Sequence, residues 1–279
     1  MAWIQMNLLS QKLMRTVPVN VIMPADKMVF PGMKPREEKP YKTLYLLHGV
    51  FGNYTDWING TRIQRFAEEN DLVVVMPSGD NAFWIDQPKG HNFYGEYIGE
   101  ELVELTRKMF PLSRKREDTY IGGLSMGGYG ALRNGLKYNE TFGAIVALSA
   151  ALVVDDVKKR TNENGFFLES RDYAESVFGN LDEVEASDKN PKYLVEKLLE
   201  QKKEIPAIYM ACGNQDSLLK ANQDFADFLK AKNVNVTFEI GEGNHEWDFW
   251  DTYIKKAMDW LPLEKSVAGV NSGNISTSV

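Results

Sequence analysis

One serine of this chain stands in a pattern that favours nucleophilic chemistry. Residues 123–127 read Gly-Leu-Ser-Met-Gly, after the apolar run 119–121 and before a segment that begins like a helix. A sharp turn from a strand into a helix holds such a serine in a strained conformation at the carboxyl edge of a sheet. Gly123 and Gly127 lack the side chains that would obstruct this turn. The pattern predicts Ser125 as a nucleophile, although G-x-S-x-G alone is common by chance.

A serine hydroxyl is a weak nucleophile at neutral pH and needs a base to take its proton. The chain has three histidines, His48, His91 and His245. His245 follows the last predicted strand and precedes the last predicted helix, so its loop lies at the same sheet edge as Ser125. We predict that His245 is the base. His48 precedes Gly49 at a strand end, where we expect it to shape the neighbouring loop.

An acid that orients the imidazole should lie between Ser125 and His245 in the chain. Asp216 follows the predicted strand 207–212 by a short turn, so it reaches the same sheet edge. We therefore predict Asp216 as the acid. The weaker candidates fall in a polar insertion or beside the last strand, and they are Asp155, Asp156, Glu239 and Glu242.

The oxyanion that forms during acyl transfer needs two convergent backbone N–H groups. Met126, directly after the serine, is predicted to supply one of them. Val50, in the loop after the predicted strand 43–47, is predicted to supply the other. Each such donor lowers the barrier by about 3 kcal/mol. Bulky side chains in loops at this edge are predicted to bind the substrate, and they are Phe51, Trp84 and Trp247.

The elements that must position these residues follow from hydrophobic patterning. Segments 3–9 and 15–23 predict an antiparallel hairpin at a sheet edge, and later apolar runs alternate with helical patterns. The pattern predicts an α/β fold with about eight mostly parallel strands and helices on both faces. We expect one domain over 1–264, a cap insertion at about 151–188 and a polar C-terminal tail over 265–279.

Composition excludes several other classes of protein. The net charge of −7, without a basic stretch, disfavours nucleic acid and anionic membranes as partners. Cys212 is the single cysteine, so neither an intrachain disulfide nor a cysteine-based metal site is expected. The histidines are dispersed, so we predict no metal and no cofactor. The N-terminus shows no signal-peptide pattern, which favours a cytoplasmic location. Assembly into a homo-oligomer stays open.

Four blocks of the chain resemble the putative-esterase family of α/β-hydrolases, which includes tributyrin, feruloyl and acetyl xylan esterases. In chain order they are the oxyanion block 46–57, the nucleophile block 123–131, the acid block 212–216 and the histidine block 243–250. The similarity spans roughly residues 15–261. The resemblance implies the α/β-hydrolase fold and a serine carboxylesterase acting on a small-molecule ester. It implies the triad and oxyanion donors Ser125, Asp216, His245, Val50 and Met126.

Within the family, the chain looks most similar to tributyrin-esterase-like members, which favours short acyl esters, with acetyl and cinnamoyl or feruloyl esters included. S-formylglutathione hydrolases usually have a histidine before the nucleophile and a cysteine in the oxyanion loop. Here Leu124 precedes the nucleophile, and none of residues 50–57 is cysteine. A thioesterase of that type and an acyltransferase with the same triad are the alternatives. A non-catalytic binding module is a third, although no triad member is missing.

Overall fold

The computed structural model describes residues 1–33, 35–163 and 165–265, so the predicted tail lies outside the described residues except for Lys265. The strands are β1 (Ala2–Ser10), β2 (Arg15–Met23), β3 (Lys42–Leu47), β4 (Leu72–Pro77), β5 (Asp86–Gln87), β6 (Asn92–Phe93), β7 (Thr119–Leu124), β8 (Ala144–Leu148), β9 (Ala207–Gly213) and β10 (Val236–Gly241). The α-helices are α1 (Asp56–Gly60), α2 (Ile63–Glu69), α3 (Tyr94–Glu96), α4 (Leu102–Met109), α5 (Met126–Lys137), α6 (Arg171–Phe178), α7 (Pro191–Glu200), α8 (Leu219–Ala231) and α9 (Trp247–Trp260).

Eight of these strands form one sheet in the order β1-β2-β4-β3-β7-β8-β9-β10. β1 pairs antiparallel with β2, and β2 pairs antiparallel with β4, whereas the other pairs are parallel. This is the α/β-hydrolase fold, with the edge hairpin that the sequence predicts. Because the parallel strands share a direction, the loops after β3, β7, β9 and β10 meet at one edge of the sheet.

Helices cover both faces of the sheet, which explains why the central strands read as continuous apolar runs. Alternate residues of β3 point to opposite sides. Tyr45 and Leu47 belong to the core that includes α5, while Leu44 and Leu46 belong to the core that includes α9. The sheet is therefore a rigid, doubly covered platform for the loops at its carboxyl edge.

Two segments differ from the sequence patterning. Apolar residues at helical spacing over 93–109 predict a single helix, but the structure divides this segment into α3, a π-helical turn at Tyr97–Glu101 and α4. The 151–188 insertion, which looked polar and weakly periodic, contains α6 and buries Val157, Val177 and Phe178 in the main core. Within α6 the buried residues Tyr173, Ala174, Val177 and Phe178 do follow helical spacing, but this helix is short, and Val157 packs from a short 3-10 turn. Periodicity detects long helices better than such turns.

Candidate active site

Ser125 occupies the one-residue turn between β7 and α5. Its backbone has φ 54° and ψ −120°, a strained conformation for a residue other than glycine. A β-carbon at position 127 would lie 2.3 Å from the Leu47 carbonyl oxygen, and one at position 123 would lie 2.4 Å from the Gly127 backbone. Both contacts are with backbone, which cannot move aside. Glycine is therefore required on each side of the serine, as the sequence pattern predicts.

Ser125, His245 and Asp216 come together at the carboxyl edge of the sheet. His245 Nε2 lies 3.0 Å from Ser125 Oγ, and His245 Nδ1 lies 2.9 Å from Asp216 Oδ2. Ser125 and Asp216 are buried, while the imidazole is partly exposed. The hydrogen bonds join the three residues that the sequence proposed, although 120 positions separate the serine from the histidine.

Asp216 is held as an ionised carboxylate. Burial by itself would raise its pKa, but hydrogen bonds from His245, the Leu218 N–H and Ser149 outweigh burial and place the pKa below the ordinary aspartate value. The Leu218 N–H donates to Oδ1 across 2.9 Å. An ionised carboxylate accepts the proton on Nδ1, so the lone pair on Nε2 faces Ser125 Oγ. This tautomer is the one that can remove a proton from serine.

Neighbouring groups fix the orientation of the His245 imidazole. The Trp250 ring stands edge-on to it, with centroids 4.9 Å apart and an interplanar angle of 90°. The Trp250 indole N–H in turn donates to Ser149 Oγ across 3.2 Å. The Gln215 N–H donates to the Gly243 carbonyl, which ties the acid loop to the histidine loop. His245 and Asp216 are therefore held by contacts between their two loops as well as by their own hydrogen bond.

The loop of residues 48–53, named here the oxyanion loop, is fixed by His48. The imidazole Nε2 accepts the Gly79 N–H across 2.9 Å, and Nδ1–H donates to the Gly49 carbonyl across 2.6 Å. Burial lowers the pKa of His48, which keeps the ring neutral, as one donor and one acceptor require. His48 thus shapes this loop, as expected from the sequence.

The two predicted oxyanion donors lie beside the serine. A β-carbon at Gly49 would lie 3.3 Å from Ser125 Cβ, so the oxyanion loop runs directly alongside Ser125. The Met126 N–H belongs to the first turn of α5, where backbone N–H groups have no acceptor within the helix. Among the backbone hydrogen bonds of the described residues, none has the Val50 N–H as its donor. Their role in binding an oxyanion stays a prediction.

Trp84 corrects one sequence-based prediction, because it does not border an accessible pocket. Its side chain is completely buried, its indole N–H donates to the His48 carbonyl across 3.2 Å, and its ring packs edge-on against His48. The residue has φ 58°, and this turn of the backbone directs the indole into the core. Trp84 therefore packs beneath the oxyanion loop and is not accessible from the surface.

Phe51 and Trp247, the other two predicted substrate-binding residues, are accessible. The Phe51 ring is 72% exposed at the tip of the oxyanion loop. Trp247 is half-buried at the start of α9, edge-on to Trp57 and to Trp250. Phe51 belongs to the oxyanion loop, and Trp247 lies two positions after His245 in the chain. Their role in binding substrate stays a prediction.

The weaker acid candidates lie elsewhere. Asp155 pairs with Lys192, Asp156 pairs with Lys159, and Glu239 accepts from the Tyr209 hydroxyl. Glu242 is exposed in the loop after β10. Over residues 1–33, 35–163 and 165–265 there is no cluster of three or more His, Cys, Asp or Glu side chains that could hold a metal. In that same part of the chain, no helix is long and apolar enough to cross a membrane.

The sheet is mostly parallel with an antiparallel edge hairpin, and a strained serine is hydrogen-bonded to a histidine–carboxylate pair. Together these features define the class of α/β-hydrolases with a serine site. The sequence profile of the family described as "Putative esterase" matches residues 10–261. The chain belongs to this family, which confirms the resemblance seen in the four sequence blocks.

Characterised relatives agree with this assignment. The chain is 44% identical over 261 residues to an acetyl esterase of Caldicellulosiruptor saccharolyticus, covering 94% of this chain and 98% of the relative. Two solved Staphylococcus aureus structures are similar at 35% identity, each covering 93% of this chain and 98% of the other. They are the fluorophosphonate-binding serine hydrolase F, with a TM-score of 0.81, and an S-formylglutathione hydrolase, with a TM-score of 0.79. This chain is a carboxylic ester hydrolase.

Proposed function

We propose that this protein is a serine carboxylesterase that hydrolyses short-chain acyl esters through a covalent acyl-enzyme. The observation that carries the proposal is the hydrogen-bonded line from Ser125 Oγ through His245 to Asp216. A neutral imidazole 3.0 Å from a serine hydroxyl can take its proton, and a carboxylate on the far nitrogen stabilises the imidazolium that results.

In the acylation step, His245 Nε2 takes the Ser125 proton while Oγ attacks the carbonyl carbon of the ester. The carbonyl oxygen becomes an oxyanion, which the Val50 and Met126 N–H groups bind. The intermediate collapses with cleavage of the bond to the alcohol oxygen, and His245 gives its proton to that oxygen. The alcohol leaves, and the acyl group remains on Ser125.

The deacylation step repeats these roles with water as the nucleophile. His245 takes a proton from water as the water oxygen attacks the acyl carbon, and the same two N–H groups bind the second oxyanion. The proton then passes from His245 to Ser125 Oγ as the acyl–oxygen bond breaks. The carboxylic acid leaves and the free enzyme returns, so the cycle consumes one ester and one water.

Two features support a short acyl group. The 44% identical relative is named an acetyl esterase. Trp247 is half-buried in an aromatic cluster two positions from His245, where it can end the acyl site after a few carbons. Acetyl, propionyl and butyryl esters are the proposed substrates, with cinnamoyl or feruloyl esters as flat aromatic alternatives. The domain is proposed to span 1–264 with its cap at about 151–188, and the cytoplasmic location stays a prediction.

A second candidate is hydrolysis of an S-formylglutathione-type thioester. One observation favours it: a solved structure at 35% identity, covering 93% of this chain, is an S-formylglutathione hydrolase. Leu124 before the nucleophile and the lack of cysteine over 50–57 speak against it. A comparison of kcat/KM for S-formylglutathione and for p-nitrophenyl acetate separates the two. A thioester preference of tenfold or more would make the thioesterase the better assignment.

The decisive experiment for the mechanism uses two serines of equal burial. Ser125 and Ser113 are each 6% exposed, but Ser113 lies before β7, at the opposite end of that strand, where it donates to Asp118. Ser125→Ala should abolish labelling by a fluorophosphonate probe and lower kcat by several orders of magnitude. Ser113→Ala should keep both. Retention of labelling and turnover by folded Ser125→Ala would refute the proposed nucleophile.

A further inference from the structure

Asn81 lies in the loop between β4 and β5, outside the residues that the proposed mechanism uses. Its side-chain Oδ1 accepts the Phe51 N–H across 2.8 Å. Its backbone carbonyl accepts the Tyr173 hydroxyl across 2.6 Å. Asn81 therefore contacts both the oxyanion loop and α6 of the 151–188 insertion.

The backbone conformation of Phe51 requires stabilisation by a residue outside the loop. Phe51 has φ 65°, in the left-handed region that side chains other than glycine adopt at a cost. Its ring is 72% exposed, so packing of the side chain does not stabilise this conformation. Within the loop, the turn from the Gly52 N–H to the Gly49 carbonyl is long, at 3.3 Å. His48 holds the Gly49 carbonyl at the start of this turn, and the 2.8 Å bond to Asn81 is the hydrogen bond that holds Phe51 itself.

The direction of the Phe51 N–H also restricts the backbone of Val50 on its carbonyl side. The Val50 carbonyl and the Phe51 N–H belong to one planar peptide unit, so fixing one fixes the other. The Val50 N–H itself lies in the preceding peptide unit, with the Gly49 carbonyl, which accepts from His48 Nδ1–H and from the Gly52 N–H. The bond to Asn81 holds the other end of Val50, so the bonds on both sides together limit rotation about the Val50 backbone and keep its N–H in one direction. A small misdirection of a group at the reacting centre can lower the rate by about 10²-fold.

The insertion reaches the same loop through Tyr173. This side chain is buried, and its ring packs against Phe83 and Phe167. Asp80, Phe83 and Trp84 each have positive φ values, so the backbone around Asn81 is strained over several residues. The Tyr173 hydroxyl holds the Asn81 carbonyl within this strained stretch. Movement of α6 would therefore be transmitted to the position of the Asn81 side chain.

We propose that Asn81 is a positioning residue for the oxyanion loop and that it couples this loop to the 151–188 insertion through Tyr173. The inference rests on the proposed function, because it assigns the Val50 N–H to the oxyanion. Asn81 touches no reacting atom. It acts by directing the Phe51 peptide.

The first test separates kcat from KM for p-nitrophenyl acetate. Asn81→Ala should lower kcat about tenfold or more while KM changes less than threefold, because the oxyanion forms after the substrate binds. Inhibition by phenylboronic acid, which forms a tetrahedral anion on serine, should weaken in parallel. Asn81→Leu, which has the same branching at Cγ but no oxygen acceptor, should behave like Asn81→Ala. Asn81→Asp keeps an oxygen acceptor and should retain at least threefold more kcat than Asn81→Ala.

The second test concerns the coupling to the insertion. Tyr173→Phe removes one hydroxyl and should lower kcat about threefold. Tyr129→Phe is the matched control, since the hydroxyl of this buried tyrosine also donates to a backbone carbonyl, that of Lys189. It should leave kcat unchanged. In the double variant Asn81→Ala/Tyr173→Phe, the second change should have no further effect, because its path through the side chain is already broken.

The outcomes distinguish this inference from the proposed mechanism. If Ser125→Ala is inactive while Asn81→Ala and Asn81→Leu keep kcat within twofold of the wild type, the inference is wrong and the nucleophile stands. A loss confined to KM would also overturn it. If the effects of Asn81→Ala and Tyr173→Phe on kcat are additive in the double variant, the proposed coupling to the insertion is wrong. If Ser125→Ala stays active, the proposed mechanism itself fails.

Discussion

The Gly79 backbone N–H donates to His48 Nε2 across 2.9 Å, joining the loop after β4 to the oxyanion loop through a buried ring. A protonated imidazole has no lone pair to accept this bond. Burial lowers the pKa of His48 in the folded protein. The unfolded chain therefore takes up a proton at a higher pH than the folded protein does.

This difference predicts how stability depends on pH. As pH falls through the ordinary histidine value of about 6.5 and on towards the lowered folded pKa, the unfolded state binds more protons and the free energy of unfolding decreases. The free energy of unfolding, measured with urea between pH 5 and 7.5, should rise with pH. This dependence on pH should be weaker in His48→Ala. His91→Ala, which removes an exposed histidine, should keep the wild-type slope. Equal slopes for wild type and His48→Ala would contradict the prediction.

Asp216→Asn should lower kcat by about 10³-fold or more while the protein stays folded. An amide in place of the carboxylate stabilises neither the correct imidazole tautomer nor the imidazolium. Steady-state kinetics with p-nitrophenyl acetate measure the change. Glu242→Gln, which changes an acid three positions before His245 on the same loop, is the control and should keep full activity. If Asp216→Asn has a normal rate and Glu242→Gln loses activity, the acid is Glu242 and not Asp216.

The wild-type rate should fall towards acid pH. His245 must be neutral to take the Ser125 proton, so its protonation removes the base. The pKa of Asp216 lies below its ordinary value, because hydrogen bonds to the carboxylate outweigh burial, so this group stays ionised well into the acid range. A pH profile of kcat/KM should therefore have a single acid limb from one ionisation. Two ionisations on that limb would show that Asp216 titrates in the same range.

Chain-length preference tests the acyl site. Each added methylene that fits contributes about 0.8 kcal/mol, so preference should rise from acetate to butyrate and then drop. We expect kcat/KM for p-nitrophenyl octanoate and palmitate to be at least tenfold below the butyrate value. Trp247→Ala should move the optimum to longer chains. Trp260→Ala, at the other end of α9, where its indole donates to Thr237, is the control. A wild-type maximum at octanoate or palmitate would exclude the short-acyl substrate class.

Gly127→Ala should destabilise the protein and lower its activity. The new β-carbon would lie 2.3 Å from the Leu47 oxygen and 2.6 Å from the His48 oxygen, so the elbow or β3 must shift. Overpacking of this kind costs about 1–3 kcal/mol, or roughly 2–4 °C of Tm for each kcal/mol. Gly165→Ala is the control, because nothing lies within 4 Å of its new β-carbon. Thermal unfolding followed by circular dichroism measures both variants.

The sequence by itself determined the fold and the three residues of the hydrogen-bonded line. Apolar runs such as 43–47 and 72–76 predict buried parallel strands because the helices on both sheet faces require them to be apolar throughout. The glycines around Ser125 mark a turn whose backbone excludes side chains, which is a local requirement. Strand direction then places the loops that carry Asp216 and His245 at the same edge. Apolar runs, glycine positions and strand order are local or periodic features, so they can be recognised in a single sequence.

Tertiary structure alone decided which loop side chains are accessible at the site and which are buried beneath it. Trp84 and Phe51 are both aromatic residues in edge loops, yet the first is fully buried and the second is 72% exposed. The bonds of Asn81 to Phe51 and of His48 to Gly79 join segments about 30 positions apart. Such contacts cannot be predicted from the periodicity of the sequence, because left-handed backbone turns and long-range packing set the direction of each side chain. The support of the site therefore became visible only when the loops were assembled.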